Sequence, residues 1–222
     1  VDDHRFSGAQ SGPRPKAGSD SARPKAVPKV ILESQVSVDG QMASADGSVD
    51  WMVWAWGNDW PWDEDLQRHH TDVMASAGCL LLSAEMAKEG FHEHWAEVAS
   101  WTDNPQAEFA AEVVEKRKVI FSKSLPQSRW ANSTIASGDL RAEIENLKQD
   151  ADGDLVAFGG AKFASSLVAQ DLVDEFHLLI NPALVGSGRP IVSQLDQTLP
   201  LSLVTATPFT CGVVLMKYRR DR

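Results

Sequence analysis

Leu155-Val156-Ala157-Phe158-Gly159-Gly160-Ala161 reads as an apolar strand that breaks at paired glycines and opens a helix near Ala161. Without side chains at Gly159 and Gly160 the backbone can approach a ligand closely and take dihedrals closed to other residues. The free N–H groups of the helix start then point at any anion docked there, so the junction is a place to hold a phosphate. Many strand–turn–helix junctions use glycine merely to turn, so the flanking sequence has to supply the specificity.

Outward from this junction the pattern alternates strands and helices. Asp152-Gly153 turns the chain into the Leu155 strand, and Ala164, Leu167 and Val168 recur at helical spacing after it. A strand is predicted from Phe176 to Ile180, with two late strands near Leu201–Ala206 and Val213–Tyr218 joined by a turn at Thr207-Pro208. Upstream, Val30–Val36, Gly78–Leu82 and Lys118–Phe121 have strand length. Asp63-Glu64-Asp65 opens a helix whose Leu66, His70, Val73 and Ala77 share a face, and Asp139 caps another with Leu140, Ile144 and Leu147. Strands alternating with helices and closing on a hairpin predict an α/β fold of three layers, a mostly parallel mixed sheet flanked by helices. Residues 30–222 form one domain in this reading.

Four further segments carry a family resemblance: Ser37-Val38-Asp39-Gly40-Gln41-Met42-Ala43, Lys118-Val119-Ile120-Phe121-Ser122-Lys123-Ser124-Leu125, Leu172-Val173-Asp174-Glu175, and Asn181-Pro182-Ala183-Leu184-Val185-Gly186-Ser187-Gly188-Arg189-Pro190. With Gly159-Gly160 they occur in the order found in the dihydrofolate-reductase-like family. Within it the chain resembles the C-terminal reductase domain of bifunctional riboflavin-biosynthesis deaminase/reductases and its stand-alone bacterial relatives. The resemblance runs from about Lys29 to Tyr218 and implies the same three-layer fold, a homodimer, and NADPH as cofactor, with NADH as the alternative.

Composition sets bounds on the rest. The 222 residues, 43% hydrophobic and 23% charged, are enough for a sizeable core. A net charge of -10 argues against nucleic acid, which demands a basic face, and favours a small-molecule substrate. No apolar stretch approaches the roughly 20 residues that cross a bilayer, and the first residues lack a signal-like apolar segment, so no membrane contact and a cytoplasmic location are expected. Residues 1–29 hold six basic against three acidic residues, a net of +3, and are rich in Pro, Gly, Ser and Ala. That composition suits a flexible leader, either a plain extension or an arm lying on the acidic body of a partner subunit. Cys79 and Cys211 form no framework and read as reduced, buried thiols.

By the resemblance, three loops at the carboxyl ends of the strands grip a nicotinamide dinucleotide. Gly159, Gly160, Ala161, Lys162 and Phe163 meet the pyrophosphate and nicotinamide ribose, while Ser83 and the Ser122-Lys123 loop meet the adenosine end. Ser122 and Lys123 would then select the 2'-phosphate, the serine by hydrogen bond and the lysine as a point charge. Two departures matter. Where the family has Gly-Arg and then Thr, this chain reads Leu82-Ser83-Ala84-Glu85-Met86-Ala87. Losing one charge-assisted contact costs about 1.5–3 kcal/mol, roughly 10- to 100-fold in affinity. Phe158 stands where the riboflavin-pathway reductases carry Glu, which places that pathway's step behind a reductase of another substrate.

Asp39 leaves the first strand at the same end of the sheet and is the candidate catalytic and substrate-binding carboxylate. Hydride transfer to C=N or C=O also demands a proton, which a carboxylate of raised pKa, or a water it orients, supplies. The alternative is an Asp-Gly turn bonding its own loop. Trp51, Trp54, Trp56, Trp60 and Trp62 fall in one tract and read either as an aromatic lid over a flat substrate or as a cap on the core, with Trp51 assigned to the pocket. His69, His70, His92 and His94 show no third ligand at a recognised spacing, so no metal is expected. Gly186–Pro190 is predicted as a turn in which Arg189 meets an anion if the loop folds back. Taken together, the sequence predicts NAD(P)H-dependent reduction of a small pterin- or pyrimidine-like substrate. A riboflavin-pathway pyrimidine reductase and a non-catalytic binding module of the same fold stand as alternatives.

Overall fold

The structure, a computed structural model, describes residues 27–101, 103–128, 130–193 and 195–222. Residues 1–26 of the expected leader lie outside the described residues. Along the chain run β1 (Val30–Ser37), β2 (Gln41–Ser44), α1 (Glu64–Ser76), β3 (Ala77–Ser83), α2 (Ala84–Lys88), α3 (Phe91–Ala99), α4 (Ala107–Glu115) and β4 (Lys118–Phe121). They are followed by β5 (Ser133–Ala136), α5 (Leu140–Asp150), β6 (Asp154–Ala157), α6 (Ala161–Ala169), β7 (Glu175–Asn181), β8 (Gly188–Pro190), β9 (Leu201–Pro208) and β10 (Val214–Arg220).

Eight strands make the main sheet in the order β5-β4-β3-β6-β1-β7-β10-β9. The six from β5 to β7 are parallel, and β10 and β9 close one edge antiparallel, as the sequence pattern predicts. Central β1 is buried at all eight residues because both faces of the sheet are covered. Alternation along β6 shows the two layers: Val156 faces a core with Trp54, Trp95, Phe109 and Leu66 of α1, whereas Leu155 and Ala157 face a second core with Leu147 of α5 and Leu167 of α6.

Local chemistry explains most element boundaries. Asp139 accepts a hydrogen bond from the Ala142 amide at 3.1 Å and caps α5. Helix α1 buries Leu66, His70, Val73 and Met74 but stops before Ala77, which starts β3 instead of completing the helical face. The backbone there is crowded by the turn before β6, since a Cβ at Gly78 would lie 2.5 Å from the Gly153 amide nitrogen. Two turn expectations need correction. Strand β9 continues through Pro208, and the turn falls at 209–213, where the Phe209 amide donates to the Val213 carbonyl at 2.9 Å. A proline is tolerated there because β9 is an edge strand with no ladder to donate to on its outer side. Gly188–Pro190, expected within a turn, forms β8 and pairs antiparallel with β2.

Candidate functional site

Strand order brings the phosphate niche together. Because β6 lies beside β3, the loop after Ala157 meets the end of β3, and Gly160 touches Ser83. Gly160 has φ +81, and a Cβ there would sit 2.6 Å from the Ser83 Oγ and 2.9 Å from its Cβ, so no other residue fits without displacing that loop. Gly159 is more open, the atom nearest an added Cβ being the Met42 methyl at 3.8 Å. The Gly160 carbonyl accepts from the Ala164 amide at 2.9 Å, so α6 begins at once. The amides of Ala161, Lys162 and Phe163 in its first turn have no intrahelical acceptor and carry the positive end of the helix dipole. Of these three side chains, Lys162 is exposed, and Phe163 is buried with its ring stacked on Phe121 at 4.9 Å. Phe163 therefore offers a ligand its backbone only, which narrows the expectation made for it.

At the other expected contact points the serines are partly used by their own loops. The Ser83 hydroxyl accepts from the Met86 amide at 3.2 Å and caps α2. The Ser122 hydroxyl accepts from the amides of Ser124 and Leu125 at 3.2 and 3.0 Å. Each keeps its O–H to donate. Lys123 is exposed. Between α2 and the segment joining β4 to β5 lies a cleft of about 460 Å³ whose walls include Ala87, Ile120, Leu125, Trp130 and Ile135, with Lys88 at its side. Glu85 is largely exposed and lies 3.6 Å from the Lys88 ammonium, so its charge is turned to solvent and partly offset. Lys88 escaped the sequence reading because a lone lysine carries no signal until α2 places it on a cleft.

Asp39 departs from the expectation of a raised pKa. Its Oδ1 accepts from the Ser37 hydroxyl at 2.6 Å and the Val185 amide at 3.0 Å, and its Oδ2 accepts from the Gly186 amide at 2.7 Å. These bonds, the Ser37 hydroxyl foremost, lower its pKa to about 2. Asp39 is thus an ionised clamp between the β1–β2 turn and the segment after β7, and not a proton donor near neutrality. Arg189 lies on exposed β8 with its guanidinium against Gly47, where a Cβ would come within 3.0 Å of a terminal nitrogen.

The tryptophan tract is a cap on the first core. Trp54 is 1% exposed and packs against Trp60, Trp62, His70 and Trp95 at centroid distances of 4.7–6.1 Å. Gln35 donates to the Trp54 carbonyl at 2.9 Å, and Asn181 accepts from the Val53 amide at 2.8 Å, so the tract is stitched to β1 and β7. That corrects the lid reading for Trp54, Trp60 and Trp62. Trp51 stands apart from both core clusters, is half-buried, and encloses an indole N–H with no hydrogen-bond partner among the described residues. Phe158, in place of a glutamate, is buried edge-on to His70 at 5.4 Å in the same core.

Beneath α1 the fold assembles a polar group that sequence spacing does not reveal. Glu33 of β1 is 1% exposed; its Oε1 is bonded by His70 Nδ1, and its Oε2 lies 3.3 Å from His69 Nε2 and 3.6 Å from His177 Nδ1. Burial pushes the Glu33 carboxyl up, but the three neighbouring imidazoles, His70 foremost, hold it well below the usual range. Glu33 and His177 pair across β1 and β7, 144 residues apart in sequence, and only the strand register joins them. His92 and His94 instead face Trp130 and Trp95 and join no group of three metal-ligating side chains among the described residues. Cys79 is a free, buried thiol with its pKa raised to about 11 by burial, and Cys211 is free and half-buried, short of the burial expected for it.

Comparison with known proteins agrees with this geometry. The RibD C-terminal domain family matches residues 28–215. The uncharacterized protein YyaP of Bacillus subtilis (strain 168) is 28% identical over 193 residues, covering 86% of this chain and 94% of its own. Among solved structures, a putative riboflavin biosynthesis protein from Shewanella sp. PV-4 superposes with a TM-score of 0.66 at 18% identity over 87% of this chain and 99% of the other. Dihydrofolate reductase from Enterococcus faecalis, complexed with NADP(H), gives 0.54 at 11% identity over 87% and 97%. No helix among the described residues is long and apolar enough to cross a membrane.

Proposed function

The chain belongs to the RibD C-terminal domain family, and from that premise we propose that it is an NADPH-dependent reductase of a small pyrimidine- or pterin-like substrate. The observation that carries the reading is the junction of Gly160 with Ser83 at the carboxyl ends of adjacent parallel strands, opening onto the start of α6. Ser83 packs so closely on Gly160 that only glycine fits there, and the reading assigns the free amides beside it at the start of α6 to a pyrophosphate. The apolar cleft by α2 suits an adenine ring, and Lys88 and Lys123 supply the positive charge that the absent Arg does not.

NADPH, when bound, supplies the hydride. This chain's residues then hold and orient. The first-turn amides of α6 receive phosphate oxygens, and the hydroxyls of Ser83 and Ser122 donate at the adenosine end. Asp39, bonded through both oxygens, fixes the substrate-side loops, and in this reading the proton that accompanies the hydride comes from solvent rather than from its carboxyl group. Phe158 presents no acceptor to a ribityl hydroxyl, which favours a substrate other than the riboflavin-pathway intermediate. The same reading places a second copy of the chain on the β9 edge, where Leu201, Leu203 and Val204 are exposed.

Titration with NADPH up to millimolar concentration tests the cofactor. Binding quenches tryptophan fluorescence and excites nicotinamide emission by energy transfer, and Lys123→Glu narrows the preference for NADPH over NADH about 10-fold or more. Absence of both optical signals ends the reductase reading; an unchanged preference ends the role given to Lys123.

A further inference from the structure

We propose that Glu33, His69 and His177 form a binding site for one divalent transition-metal ion of the zinc class, tying α1 to strands β1 and β7. The three donor atoms lie within 4.8 Å of one another. Two of the separations, 3.3 and 3.6 Å, bracket the edge of about 3.4 Å that tetrahedral coordination imposes when ligand bonds are about 2.1 Å. Glu33 Oε2, His69 Nε2 and His177 Nδ1 are all enclosed, yet none has a hydrogen-bond partner among the described residues. Three polar atoms thus converge in a protein interior without a hydrogen bond between them, an arrangement that a cation satisfies at once.

The surroundings match what such ligands require. His177 Nε2 lies 3.5 Å from Glu175 Oε2, and the other oxygen of Glu175 accepts from the Lys29 ammonium at 2.8 Å, a carboxylate that orients the ring and fixes which nitrogen is free. Glu33 is oriented in the same way through Oε1 by His70. A carboxyl group only 1% exposed has lost its hydration, which an ion of charge +2 at the same place compensates. His69 is 13% exposed, which gives the ion a path from solvent and leaves a fourth position to water. The donor set of two imidazoles and one carboxylate suits zinc and its neighbours rather than calcium or magnesium. This site shares no residue with the dinucleotide niche, so it stands or falls independently of the reductase reading.

The experiment uses the full chain, stripped with a chelator and dialysed against Zn2+, with metal content measured by mass spectrometry and unfolding followed by calorimetry. One equivalent is retained, and Tm rises by about 5 °C or more at 100-fold excess over Kd. Cobalt in place of zinc gives the visible absorption of a tetrahedral centre. His69→Ala, at the rim where folding is least at risk, weakens binding by more than about 100-fold, and Glu33→Gln does the same. His92→Ala with His94→Ala leaves the equivalent in place. Retention of no more zinc by the wild type than by His69→Ala, or an undiminished equivalent in both single variants, overturns the site.

Discussion

A single missing side chain sets the phosphate niche. At Gly160 the positive φ and the 2.6 Å approach to the Ser83 hydroxyl act together, so Gly160→Ala must strain its backbone and push the β3 loop aside. The expected cost is about 2 kcal/mol, a Tm lowered by roughly 4–8 °C, with NADPH affinity reduced at least 10-fold in a fluorescence titration. A variant that keeps both values refutes the cradle. The glycine pair was legible in sequence because backbone freedom is a property of the residue itself. The state of Asp39 was not, since its low pKa comes from amides at Val185 and Gly186, 146 and 147 positions away.

Among elements, Asp174 joins three that no local pattern relates. Its carboxylate accepts from the Val30 amide at 2.7 Å at the start of β1, from Lys148 of α5 at 2.5 Å, and from Arg222 beyond β10. Burial alone would raise its pKa, but Lys148, the Val30 amide and Arg222 lower it. A depressed carboxylate contributes stability above its unfolded pKa near 3.8 and loses it as pH falls through the folded value. Asp174→Asn should therefore be less stable than wild type by about 1–3 kcal/mol at pH 7, with the gap narrowing below pH 4, as read from urea unfolding at each pH. A constant gap across that range excludes the titration. The same scale explains why the tryptophan tract stayed ambiguous in sequence. Indole suits a lid and a core equally, and the choice was made by Gln35 and Asn181, which anchor the tract's backbone onto the sheet.

For the whole molecule, the antiparallel edge is where the proposed dimer can be tested. Among the described residues strand β9 has a neighbour on one side only, and it exposes Leu201, Leu203 and Val204, the last opposite a register shift in β10. An apolar open edge of this kind favours pairing with a second chain. Light scattering should give twice the chain mass for wild type and the single mass for Leu203→Glu; a monomeric wild type rules the dimer out. Periodicity and turn chemistry alone determined the α/β class, the mostly parallel sheet, the Asp139 cap and the glycine junction, because these follow from the dihedral preferences and apolar faces of neighbouring residues. The meeting of Ser83 with Gly160, the burial of Trp54, and the convergence of Glu33 with His69 and His177 were decided by the tertiary structure. Each depends on which strand lies beside which and in what register, a long-range outcome of packing two cores at once that no short stretch of chain encodes.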